Sequence, residues 1–90
     1  MTKRGRLEII KDIFSIIKDN HNSIKITPLI RKSNLSTQRF NGYYNELIQK
    51  KLIIERKVEQ NTKTISLTEK GCRYLEKYAN IIGFIEEFDL

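Results

Sequence analysis

The chain has 90 residues, 31% charged and 39% apolar, with a formal charge of +6. That length suits one domain near the lower limit of what a single core stabilises, so a partner is a natural supplement, and the composition is that of a soluble globular chain. No apolar run is long enough for a membrane span, and the amino terminus MTKRGRLEIIKD carries charges where a signal peptide needs an apolar centre, so a cytoplasmic location is expected.

The charge is unevenly placed. All 17 lysines and arginines lie within residues 1–77 with eight carboxylates, and 17 minus eight leaves +9; residues 78–90 hold three carboxylates and no base, hence −3. A basic body favours polyanions such as nucleic acid or an anionic membrane surface, though many small proteins are basic and bind neither.

The first predicted helix runs from Gly5 to Asp19. Its apolar residues Leu7, Ile9, Ile10, Ile13, Phe14, Ile16 and Ile17 form a stripe too broad for one contact. It should be covered on two flanks, with the carboxyl-terminal segment as the second cover. Asp19 to Asn22 are turn formers, and Ser23 to Ile26 is long enough for one short strand. Thr27 is expected to cap a second helix over Pro28 to Lys32, with proline at its first position, where its missing amide proton costs nothing.

The next helix, from Ser36 to Lys51, is the centre of the reading. Ser36 is a good N-cap, and Phe40, Tyr44, Leu47 and Ile48 recur at spacings of three and four that point one stripe inward. Thr37, Gln38, Asn41 and Asn45 lie on the other face with Arg39 and Gly42 at its border, and no carboxylate precedes Glu46. Amides and hydroxyls can meet base edges, and glycine allows close approach to a phosphate; a merely solvated face has a similar composition. The tight link between a short helix and this longer one is a helix-turn-helix arrangement.

Leu52 to Val58 reads as a strand, Glu59 to Lys63 as a polar turn, and Thr64 to Leu67 as a returning strand with Ile65 and Leu67 on one face. This hairpin carries Arg56, Lys57 and Lys63, with Gln60, Asn61 and Thr62 at its tip. It is either a basic arm for a polyanion or a solvated hairpin whose lysines guard a sheet edge. Thr68 caps a final helix reaching about Glu87. One row on it is Cys72, Leu75, Tyr78, Ala79, Ile82 and Ile85, and a second is Tyr74, Ile81, Phe84 and Phe88. A helix of about 28 Å exceeds what the body can cover, so its far half should meet another surface. Leu75, Tyr78, Ala79, Ile82 and Ile85 are the candidates for pairing with a second copy.

Catalysis and metal binding find little support. His21 lies in a turn without an acid or nucleophile beside it, Cys72 is expected to be a small core residue, and Glu86 and Glu87 sit at a helix end, not around a cleft. One cysteine and one histidine make no zinc site, and the four glycines are too scattered for a phosphate loop. No cofactor and no small-molecule substrate are expected.

The runs LSTQRFNGYYNELIQKKLI and ISLTEKGCRYLEKY resemble the L-S…Y-L-x-x-L-x-x-x-G-L-I…Y-x-L-T-x-K-G pattern of small archaeal winged-helix proteins, in particular the ten-kilodalton chromatin and regulator family that dimerises through a carboxyl-terminal antiparallel coiled coil. The likeness extends from Lys3 to about Phe88, with Lys51 where the pattern has glycine and Tyr44 where it has leucine. It implies an α+β, mostly α fold: a winged helix-turn-helix over residues 1–67 and a dimerisation helix over 68–90 of the same domain. It further implies non-enzymatic binding of double-stranded DNA as a homodimer, in the cytoplasm on the nucleoid, as a transcription regulator or a chromatin protein. Ser36, Thr37, Gln38, Arg39, Asn41 and Asn45 fall on the recognition helix, and Arg56, Lys57 and Lys63 on the wing. Arg31, Lys32, Lys3 and Arg4 are further candidates for phosphate contact. The competing expectation is a winged helix that serves as a protein-interaction module in an assembly without touching DNA.

Overall fold

The structure, a computed structural model, describes residues 4–59 and 61–90; Lys3 and Gln60 lie outside the described residues. The elements follow in the order α1 (Arg6–Asp19), β1 (Ile24–Lys25), α2 (Ile26–Ser33), α3 (Thr37–Gln49), β2 (Ile53–Glu59), β3 (Thr62–Leu67) and α4 (Glu69–Glu87). This is the α+β, mostly helical architecture expected, with a winged helix followed by a long terminal helix.

The broad stripe of α1 makes it the centre of the core. Ile9, Ile10, Ile13, Phe14 and Ile17 are all buried. α2 and β3 pack on α1, and α4 covers it as well. The α4 cover is specific: the Tyr74 ring meets Phe14 edge-on at 5.1 Å, and its hydroxyl donates to the Leu7 carbonyl at 2.7 Å. Leu29, Phe40, Leu47, Ile24, Ile53, Ile65 and Leu67 complete the core. Each such fully buried side chain stabilises the fold by about 1.5–3 kcal/mol relative to exposure.

The sheet has three antiparallel strands in the order β1-β3-β2. Because β3 is central, Thr64 and Ser66 are buried along with Ile65 and Leu67, whereas in the edge strand β2 only Ile53 is buried. The hairpin is tighter than the sequence suggests. Glu59 already pairs with Thr62, so the returning strand begins two residues before the expected Thr64, and the register shifts between Lys57 and Glu59.

Two other expectations are corrected. Thr27 does not cap α2: Lys25 holds the extended N-cap position without a side-chain bond, and Ile26, Thr27 and Pro28 form the first turn. Proline is harmless anywhere in that turn, because its amides have no intrahelical partner, so it marks a helix start only to within a residue or two. Cys72 is exposed, not a core residue, since of α4 only Gly71 is buried.

Candidate nucleic-acid interface

α3 is fixed at both ends and along one side. At its start the Ser36 hydroxyl accepts the Arg39 amide at 3.2 Å. At its end the Lys51 amide bonds the Ile48 carbonyl and the Leu52 amide bonds the Leu47 carbonyl, both at 3.0 Å, with Lys51 at φ 59°. This pair of bonds is the Schellman motif, whose left-handed residue is usually glycine. Lys51 therefore adopts the conformation for which the family pattern supplies glycine.

The motif LTEKG acts on the same junction. The Thr68 hydroxyl donates toward the carbonyls of Lys51 (2.7 Å) and Leu52 (3.0 Å) and accepts the Gly71 amide at 3.1 Å, while the Thr68 amide bonds the Leu52 carbonyl at 3.1 Å. Gly71 is needed because a Cβ there would lie 2.3 Å from the Leu52 carbonyl oxygen. The end of α3 and the start of α4 are thus joined through the successive carbonyls of Lys51 and Leu52.

Laterally, Phe40 and Leu47 are buried and Tyr44 stacks on Phe40 with centroids 5.7 Å apart. The Tyr44 hydroxyl donates to Glu55 of β2, tying the hairpin to α3. Partial burial, followed by that bond, raises the Tyr44 pKa well above the ordinary phenol value. Arg6 grips Glu46 through both guanidinium nitrogens, the Nη1 bond measuring 2.9 Å, and Lys50 adds a contact at 2.7 Å. These bonds, Arg6 first, hold the Glu46 carboxyl down at about 2. The one carboxylate of α3 is therefore matched by two cations.

What remains outward is the face read from the sequence. Ser36, Thr37, Gln38, Arg39, Asn41, Gly42, Asn45 and Gln49 are all exposed, and none is acidic. A Cβ at Gly42 would meet nothing, so the backbone there is open to close approach. A shallow depression lined by Arg6, Arg39, Gly42, Tyr43 and Glu46 lies beside it. Arg31 and Lys32 are exposed in the last turn of α2. Among the described residues, Arg31, Lys32, Arg39, Arg56, Lys57 and Lys63 make no ion pair.

The hairpin bases divide between two faces. Lys57 is directly opposite Lys63, and Arg56 is opposite Thr64. Alternation puts Lys57 and Lys63 on the face of Ile53, Glu55 and Ile65, toward α3, and Arg56 on the reverse. Two like charges in direct opposition are unfavourable, and an anion between them relieves the repulsion. On the reverse face Lys25, paired with Thr64 from the other side, forms a row with Arg56. Lys25 also lines a cleft with Thr27, Pro28, Asn61, Thr62 and Lys63. The sequence reading missed it, and only the sheet order brings it to the wing.

Arg4 stands apart from the other bases. Its Nη1 donates to Asp12 at 2.8 Å and its Nη2 to the Ser33 carbonyl at 3.1 Å, fastening the amino terminus across α1 and the end of α2. Burial alone would raise the Asp12 pKa, but the bonds from Lys11 and Arg4 outweigh it and hold the carboxyl low. Arg4 is a structural residue here.

The fold and this arrangement define a class. A winged helix-turn-helix family model matches residues 3–86, and the chain belongs to the winged helix-turn-helix family. Among solved structures it is similar to Sso10a-2, a DNA-binding protein from Sulfolobus solfataricus, at 24% identity and a TM-score of 0.73, covering 94% of this chain and 85% of that one. It is also similar to SSV1 F-93, at 25% identity and a TM-score of 0.66, covering 97% of each chain. These neighbours meet the resemblance to small archaeal winged-helix proteins drawn from the sequence. Comparison with curated protein sequences finds no match.

Proposed function

We propose that the protein binds double-stranded DNA, without enzymatic activity, as a homodimer, acting on the nucleoid as a transcription regulator or chromatin protein. The observation that carries this reading is the exposed, carboxylate-free face of α3 set among bases that, among the described residues, have no acidic partner. α3 enters the major groove, presenting Thr37, Gln38, Asn41 and Asn45 to base edges, while Arg39, Lys57, Lys63, Arg31 and Lys32 contact phosphates. Residues 1–67 form the DNA-facing part and residues 68–90 the pairing element. The DNA-binding neighbour of the same fold supports the reading.

The test is binding to generic duplex DNA over a range of salt. About five neutralised phosphates per subunit give a log-log slope of about −4 to −5 per subunit. A slope near zero overturns the electrostatic account, and no binding at low salt returns the fold to use as a protein-interaction module. Arg39→Ala assayed on several duplexes separates backbone contact, a uniform loss, from base readout, a selective one.

Pairing through α4 is supported by its uncovered outer half, where Ile81, Ile82, Phe84, Ile85 and Phe88 are all exposed. Of the expected pairing set, Leu75 packs against the chain's own core and Tyr78 stacks on Tyr74 with centroids 6.3 Å apart. The available surface is therefore Ile82, Ile85 and the exposed edge of Ala79, joined by the second row Ile81, Phe84 and Phe88. A 10.7 kDa species in ultracentrifugation at micromolar concentration ends the dimer reading.

A further inference from the structure

At the foot of α4 a groove of about 470 Å³ runs between that helix, the start of α1 and the turn after α3. Its floor is Leu7, Leu52, Tyr74, Tyr78 and Ile81, and Lys70, Arg73 and Lys77 line one wall; among the described residues no carboxylate lines it. The floor is apolar and wet. Leu7 and Ile81 are each more than half exposed, and the Tyr74 hydroxyl is already spent on the Leu7 carbonyl at 2.7 Å. Partial burial raises the pKa of that phenol above its ordinary value. The wall is a row of cations at intervals of three and four along one side of α4. Lys70 donates to the Lys50 carbonyl at 3.2 Å and Arg73 reaches Glu69 only at 3.6 Å, whereas among the described residues Lys77 makes no ion pair. Long basic side chains lay their stems along apolar surface and keep their heads in water, so this row widens the floor and charges its rim.

An apolar floor beneath lightly engaged cations is the chemistry that recognises an amphiphilic acid. The chain displaces water from the floor, and the carboxylate takes charge-assisted hydrogen bonds from the wall. A DNA phosphate would use the wall and leave the floor wet. Size favours a small molecule: from Tyr74 to Ile81 the floor follows seven residues of helix, about 10.5 Å, which matches a medium-length acyl chain and is less than two turns of a docked helix. We infer that the groove binds a medium-chain carboxylic acid, its chain lying along Leu7, Tyr74, Tyr78 and Ile81 and its carboxylate between Arg73 and Lys77. Neither DNA binding nor α4 pairing is needed for this seat, which shares only Ile81 with the surface available for pairing.

Equilibrium dialysis of radiolabelled decanoate, below its micellar concentration, against the full chain tests this. Saturation at about one decanoate per chain is expected, with a dissociation constant on the order of tens of micromolar for a ligand of about a dozen heavy atoms. Lys77→Glu should raise that constant about fivefold. Leu7→Asp should raise it about tenfold, because it sets a charge in the floor, at an exposed position in the first helical turn where a carboxylate is tolerated. Lys18→Glu, at the far end of α1, makes the same change in net charge as Lys77→Glu and should leave the constant within about twofold. Neutral decanol should compete about fivefold less well than decanoate, since only the acid engages the wall. A wild type that binds no decanoate saturably overturns the seat. Equal losses in Lys18→Glu and Lys77→Glu reduce the attraction to net charge and overturn it too, as does decanol competing as well as the acid. Decanoate bound only by Phe84→Asp, the variant that opens the α4 pair, shows a second copy filling the groove; that result removes the seat and leaves the pairing in place.

Discussion

α3 and α4 begin alike and end differently. Each starts with a hydroxyl cap, Ser36 accepting the Arg39 amide and Thr68 the Gly71 amide, and each turns one side to the body. The open side of α3 carries amides and hydroxyls, whereas that of α4 carries Ile81, Phe84 and Phe88, each more than half exposed. Water satisfies the first surface. It penalises the second, where covering each such side chain is worth about 1.5–3 kcal/mol. α3 is therefore stable while uncovered and suited to a polar partner met transiently, and α4 is suited to a lasting apolar one.

The most severe way to break this contrast is to damage the junction both helices share. Gly71→Ala forces a Cβ against the Leu52 carbonyl and is expected to cost about 3 kcal/mol, read as a fall in the urea midpoint. Phe84→Asp acts on α4 alone. It should remove about 2 kcal/mol of pairing per copy, shifting sedimentation to monomer while the thermal transition of the body changes little. Lys57→Ala with Lys63→Ala acts on the wing beside α3. The salt dependence of duplex binding should become shallower by about two per subunit. The hairpin itself should become slightly more stable, by about 0.5 kcal/mol, because two opposed like charges are gone. A wing that loses both affinity and stability contradicts the geometry described.

Lys51→Gly relieves a left-handed residue at the end of α3 and is expected to raise stability by about 1 kcal/mol without altering DNA binding. The smallest effect concerns Glu46. Its folded pKa of about 2 lies below the ordinary 4.5, so the Arg6–Glu46–Lys50 contact contributes fully above pH 4.5 and is lost as the pH falls toward 2. Glu46→Gln should flatten the stability profile in that window and lower the neutral-pH midpoint by the same small amount. An unchanged acid limb removes the contact from the account of how α3 is held.

Much of this contrast was legible in the residues. The caps at Ser36 and Thr68, the inward stripe of Phe40 and Leu47, and the two-sided burial of α1 follow from local spacing and side-chain chemistry. What was missed depends on register and reach. Strand faces invert with a one-residue slip, so the division of Lys57 and Lys63 from Arg56, and the burial of Thr64 and Ser66, required the pairing of β3 with both neighbours. Periodicity gives a stripe on α4 but not the point where the body stops covering it, which is why Cys72 was placed inside and Leu75 assigned to another copy. The tie from Arg4 to Asp12 and Ser33 spans three segments and has no signature in composition.

The Leu52 carbonyl accepts both the amide and the hydroxyl of Thr68, directly behind the last turn of α3. α4 is thus anchored at its start to the turn that ends α3, so a force on its outer half is transmitted to that turn. If two copies pair through α4 as proposed, lengthening it beyond Ile81 by one turn would carry the far contact outward by about 5.4 Å without disturbing that anchor, and so would reset the distance between the two α3 helices.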